Sequence, residues 1–152
     1  NIDSVVIPND FQTNGVILDD DIYTIIQNVK GKLFLLFDCC HSGSICDLPW
    51  SAQYIDNKLK TTNINTNQPE NQNIYAISGS TDIQVSMENY NEVLQTKVGA
   101  LTNAFLMLLH THRYTIDIED LFIEICRYLS YSEFEQTPIL SCTTENIIYK
   151  FE

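Results

Sequence analysis

An unbroken apolar run, Leu33-Phe34-Leu35-Leu36-Phe37, leads without a spacer into Asp38-Cys39-Cys40-His41-Ser42-Gly43-Ser44. Five large apolar residues without polar alternation predict a buried central strand of a parallel sheet. Such a strand delivers whatever follows it to the carboxyl edge of the sheet, where open α/β folds place their binding crevices. A carboxylate, two thiols, an imidazole and a small flexible turn therefore arrive together at an expected active-site rim. A thiol there suits a nucleophile, and the glycine lets backbone N–H groups approach a substrate carbonyl.

The rest of the chain narrows the class. Its 152 residues amount to one domain with room for a core, and 44% apolar content fits a globular protein. No apolar run approaches the roughly 20 residues of a membrane-spanning helix. A formal charge of −12 argues against nucleic acid or an anionic membrane as partner, and for cations or basic substrates. Five cysteines, two of them adjacent, fit free thiols in a reducing, cytoplasmic setting better than a disulfide framework.

Residues 1–56 read as strand, helix, strand. Asp19-Asp20-Asp21 are placed to cap and charge a helix over Ile22–Val29, which Gly31 ends. Residues 57–73, polar and rich in Asn and Thr, read as a mobile linker. Ile74–Ile77 is a predicted strand. Gly99–Leu109, apolar nearly all round, predicts a buried helix, and Ile118–Leu129 an amphipathic one. Pro138–Cys142 and Ile147–Phe151 read as strands.

Asp38-Cys39-Cys40-His41-Ser42-Gly43-Ser44 resembles the cysteine motif of metacaspases, caspase-like peptidases with the caspase–haemoglobinase fold. Further landmarks of that family are similar in order: Ile2–Asp10, Ile17–Asp21, Asp47-Leu48-Pro49, Ile77–Ser86, Gly99–Thr102 and Gln136–Ser141. The resemblance implies a three-layer α/β/α fold with a mostly parallel central sheet, only part of which lies in this chain. Residues 1–56 would end the large subunit, residues 57–73 would link, and residues 74–152 would form the small subunit. It further implies a monomeric cysteine endopeptidase that acts on protein or peptide substrates after Arg or Lys.

Cys40, the second thiol, is then the nucleophile. Alternation along the strand turns Cys39 to the opposite face. Asp38, two residues before Cys40, shares its side of the strand and by resemblance lines the pocket for the basic P1 side chain. Asp82 is a second candidate for that pocket. A thiolate needs a base, and in caspase-type enzymes the catalytic His lies about 50 residues before the Cys. That places it upstream of residue 1. His41 adjoins the nucleophile and points away from it, while His110 and His112 read as residues of a helix C-terminus.

Asp3, Asp19, Asp20 and Asp47 match the four aspartates that bind activating Ca²⁺ in the family. Carboxylates gathered from separate loops need a hard cation to offset their repulsion. A zinc site at Cys39, Cys40, His41 and Cys46 is disfavoured, because adjacent strand residues point apart and no Cys-x-x-Cys spacing is present. Lys58 and Lys60 are the basic residues of the linker and the expected points of self-processing. The missing His leaves a rival reading, a non-catalytic caspase-like module that binds calcium or a protein partner.

Overall fold

The computed structural model describes residues 4–39, 45–66, 68–79, 88–91, 95–132 and 136–152. In chain order its elements are β1 (Val5–Val6), α1 (Phe11–Asn14), β2 (Ile17–Leu18), α2 (Asp19–Ile26), β3 (Leu33–Phe37), β4 (Trp50–Ile55) and β5 (Lys58–Asn63). There follow β6 (Ile74–Ser78), β7 (Glu88–Asn91), β8 (Thr96–Gly99), α3 (Ala100–Thr111), β9 (Ile116–Asp117), α4 (Ile118–Tyr131), β10 (Ile139–Cys142) and β11 (Lys150–Phe151).

The main sheet has five strands in the order β3-β6-β10-β4-β5. Among the described residues only β3 and β6 run parallel, with Leu33 opposite Ile74 and Phe37 opposite Ser78. Strand β10 lies antiparallel to both β6 and β4, and β4 antiparallel to β5. The expectation of a mostly parallel sheet is therefore corrected. A parallel pair needs a long crossover. The β4–β5 connection is two residues, Asp56 and Asn57, with φ of 54° and 60°. Two left-handed residues in a row make the mirror-image turn that matches strand twist, so the chain folds straight back.

Among the described residues the apolar run does not take the central place in the sheet. β3 lies at the edge, with all five residues half-buried, whereas every residue of β6 and of β10 is buried. Alternate side chains of β6 serve two cores. Tyr75 and Ile77 join Ala52, Leu140 and Cys142 beneath α3 and α4, and Ile74 and Ala76 join Ile26, Ile45, Cys46 and Leu48 on the other face. Helices thus flank both faces of a mixed sheet.

Helix α4 buries Ile118, Leu121, Phe122, Ile125 and Leu129, a single stripe at helical spacing. Helix α3, expected to be buried all round, covers only Ala100, Leu101, Ala104 and Phe105, and leaves Leu106 and Met107 exposed. The sheet offers one face, so one stripe is all it can cover. Helix α2 begins at Asp19, three residues before the expected Ile22, and Leu18 is its N-cap. The three acids form its first turn rather than a cap, where they still favour the positive end of the helix.

Within residues 57–73, the stretch read as a linker, the first part is a strand. Lys58–Asn63 is β5, pairing Tyr54 with Leu59 and Gln53 with Lys60. Thr61 and Thr62 suit a strand, and Leu59 turns its side chain toward the larger core. Beyond it, Ile64 N–H donates to the Pro49 carbonyl (2.9 Å) and Asn71 Nδ2 to the carbonyls of Val29 (2.7 Å) and Gly31 (3.0 Å). Among the described residues no helix is long and apolar enough to cross a membrane.

Candidate functional site

Strand β3 ends at Phe37, and Gly79 N–H donates to the Phe37 carbonyl at 2.8 Å, tying the ends of β3 and β6 together. Asp38 follows at this rim. Its Oδ2 accepts two hydrogen bonds from Thr102, from the backbone N–H at 2.8 Å and from Oγ1 at 2.6 Å. Its Oδ1 is buried and has no hydrogen-bond partner among the described residues. A buried carboxylate oxygen without a donor typically costs about 1–3 kcal/mol or more. A hydrogen-bond donor or a cation at that oxygen would satisfy it.

Cys39 is half-buried and packs against the Ile74 and Ala76 core. Cys40, with His41, lies outside the described residues, as do Asp3 and Asp82. The other described thiols are not poised for attack. Burial pushes Cys46, Cys126 and Cys142 up to about 12, and at Cys46 the neighbouring Asp47 carboxylate adds to the effect. A thiol held protonated is a poor nucleophile.

The acidic constellation converges. Carboxylate oxygens of Asp19, Asp20 and Asp47 all lie within 4.8 Å of one another. Asp19 is buried, Asp47 half-buried and Asp20 exposed. Asp19 Oδ2 accepts from Ser4 N–H (2.9 Å) and its Oδ1 from Asp20 N–H (3.0 Å), while Asp19 N–H donates to the Ser4 carbonyl (3.1 Å). These bonds fix the start of α2 against the chain ahead of β1. Asp47 adopts a left-handed backbone, φ 45°, which Asp tolerates better than most residues. Asn65 Nδ2 donates to the Asp47 carbonyl at 3.2 Å. Tyr23 stands close enough that Asp47 adds to the upward push burial gives its phenol. An all-oxygen, triply acidic donor set drawn from the first turn of α2 and the segment between β3 and β4 fits a hard cation such as Ca²⁺.

His112 caps the end of α3, with Nε2 2.9 Å from Glu124 Oε2 on α4. His110, in the last turn of α3, meets Tyr114 edge-on. Both keep the helix-end placement read from sequence. Lys58 and Lys60 are exposed on β5, and Lys60 Nζ lies 3.3 Å from Asp56 Oδ2. Thr102 bonds Asp38 and Gly99 leaves room for it, roles that neither residue type announces in the sequence. The available signal was a glycine directly before a helix, with a Thr at its third position.

Residues 1–49 match the family model for the metacaspase, peptidase C14 domain. Metacaspase-5 of Trypanosoma cruzi is 28% identical over 97% of this chain and 36% of its own length. Metacaspase-3 of Trypanosoma brucei brucei is 29% identical over 93% of this chain and 43% of its own. Metacaspase-1 of Candida albicans is 49% identical over 51 residues, 32% of this chain. The chain spans less than half the length of these relatives. These matches, with the cysteine motif that follows β3 in the sequence and the gathered aspartates, support reading the chain as similar to part of a metacaspase, with the peptidase-domain match over residues 1–49.

Proposed function

We propose that this chain supplies the nucleophile, the P1 pocket and the calcium ligands of a cysteine endopeptidase that cleaves after Arg or Lys. The observation that carries the reading is Asp38, a rim carboxylate with one oxygen fixed by Thr102 and the other buried and unpartnered, two residues before Cys40. A guanidinium or ammonium satisfies that oxygen and offsets its charge. Asp82 is the second acid proposed for the pocket.

In the proposed reaction the Cys40 thiolate attacks the scissile carbonyl carbon. The electron pair moves onto oxygen, where a backbone N–H at Cys40 or near Gly43 stabilises it. The tetrahedral centre collapses with loss of the amine, and water releases the acyl group. A His outside this chain, expected ahead of residue 1, takes the thiol proton and returns it to the amine. Asp19, Asp20 and Asp47, with Asp3 as the fourth ligand, would hold Ca²⁺. When bound, it would neutralise these acids and brace the loop after β3 against the start of α2.

The test uses the full-length protein that carries this chain. It is expected to cleave a fluorogenic peptide with Arg at P1 and to ignore the same peptide with Asp. Cys40→Ala should lower cleavage by a factor on the order of 10³ or more, and Cys39→Ala should retain most of it. Activity persisting in Cys40→Ala would sink the assignment. A full-length protein that cleaves nothing yet binds calcium is instead the non-catalytic module.

Residues 1–56 and 74–152 are proposed as large- and small-subunit parts, with self-cleavage after Lys58 or Lys60 between them. Calcium-treated full-length protein should give fragments with those new ends by mass spectrometry, and the double Lys→Ala variant should not. Fragment ends elsewhere, or an active enzyme left intact, contradict this.

A further inference from the structure

Helix α3 starts without a cap of its own. Its N-cap residue is Gly99, and no side chain from that position bonds the helix. The third helical N–H, that of Thr102, is the one an N-cap side chain ordinarily satisfies. Here it is taken by Asp38, 64 residues away in sequence on the far end of β3. Thr102 Oγ1 donates to the same oxygen. A methyl group added at Gly99 would overlap the Asp38 carboxylate, so the absent Cβ is the space the carboxylate occupies.

We propose that Thr102 and Gly99 are positioning residues of the P1 pocket: they lock the Asp38 carboxylate by one oxygen at the head of α3 and so hold the other for the substrate cation. The inference rests on the reading of Asp38 as the P1 anchor. Oδ2 is committed twice, to a backbone N–H and to a hydroxyl, so the carboxylate plane has little freedom. Oδ1 is left without a protein donor among the described residues. The cost of ordering the anchor is met during folding rather than at substrate binding. The positive end of α3 offsets part of the carboxylate charge through Oδ2 and gives no donor to Oδ1.

Agmatine, the decarboxylated arginine, serves as the probe, titrated into this 152-residue chain with calorimetry and amide NMR as readouts. The unsubstituted chain should bind it, with the Thr102 amide resonance moving as the Asp38 carboxyl signal moves. Thr102→Val keeps shape and N–H but removes the hydroxyl donor. It should weaken agmatine about tenfold, the scale of one charge-assisted hydrogen bond. Thr102→Ser should restore affinity, and calcium affinity should be unchanged in both, which a general loss of structure would not allow. Gly99→Ala should weaken agmatine at least as much. Wild-type affinity in Thr102→Val and Gly99→Ala overturns the positioning role. If Asp38→Asn abolishes binding at the same time, the pocket itself stands. Should the variants not fold, the unsubstituted chain decides: agmatine that shifts Asp38 and leaves the Thr102 amide still overturns the proposal. Agmatine binding unaffected by Asp38→Asn overturns the pocket reading instead.

Discussion

Calcium titrated into the chain should bind at the Asp19, Asp20 and Asp47 carboxylates, and Asp47→Asn should weaken it by about 10–100-fold. The substitution keeps size and one oxygen donor but removes a charge from a donor set whose oxygens lie within 4.8 Å of one another. Asp19→Ala should cost more, because Asp19 also accepts the Ser4 and Asp20 N–H groups and anchors the start of α2. Asp20, exposed, should cost least. Magnesium should bind more weakly, since it demands a tighter octahedral shell and gives up water reluctantly. Binding to the native state alone should raise the thermal midpoint, by linkage worth about 2.7 kcal/mol at a hundredfold excess over Kd. Tyr23, beside Asp47, gives an optical reporter of occupancy. An unchanged midpoint at millimolar calcium, or wild-type affinity in Asp47→Asn, would rule the site out.

Alkali should unfold this chain through its buried thiols. Burial pushes Cys126 and Cys142 from the ordinary 9.0 up to about 12. Below pH 9 both states are protonated and the thiols make no difference. Above it the unfolded chain sheds protons that the folded chain retains, so stability falls with rising pH until the folded thiols ionise near 12. Each thiol withdraws about 1.4 kcal/mol per pH unit. Two thiols over two units remove about 5 kcal/mol, against the roughly 5–15 kcal/mol that holds a typical domain together. The Tyr75 phenol, also pushed up chiefly by burial, adds in the same direction at higher pH. Urea unfolding at pH 8, 10 and 11 should show the midpoint falling steeply, and Cys126→Ala with Cys142→Ala should flatten the fall. At pH 8 both thiols should resist a thiol reagent until denaturant is added. A midpoint independent of pH between 9 and 11 contradicts the account.

How much of this was written in the chain differs from element to element. The stripe Ile118, Leu121, Phe122, Ile125, Leu129 names α4 and its buried face directly, because helical period and burial coincide there. Of the four aspartates read through the family resemblance, Asp19, Asp20 and Asp47 bring their carboxylates together, and Asp3 lies outside the described residues. Strand direction was not legible. Leu33–Phe37 is apolar enough for a central strand, yet composition carries no record of its neighbours, and among the described residues the inner places belong to β6, β10 and β4. The β4–β5 hairpin was hidden because Lys58–Asn63 is polar: an edge strand with one face in water needs only Leu59 turned inward. Asp56-Asn57, both suited to left-handed backbone, was the missed signal. The Asp38–Thr102 pair joins residues 64 apart, a contact that no local pattern encodes.

The order of the five strands bears on what a break in the chain would do. A nick after Lys58 or Lys60 leaves β3 and β4 on one piece, and β6, β10 and the rest of β5 on the other. Of the four pairings, β3 with β6, β10 with β4, and β4 with β5 all cross that break, and only β6 with β10 does not. The two pieces are interleaved like the fingers of clasped hands, and the cores on both faces are shared between them. Such a molecule would run as two bands on a denaturing gel and as one particle in solution. Processing there changes the freedom of a hairpin without dismantling the body, and the two pieces, expressed apart, are natural halves for reassembly.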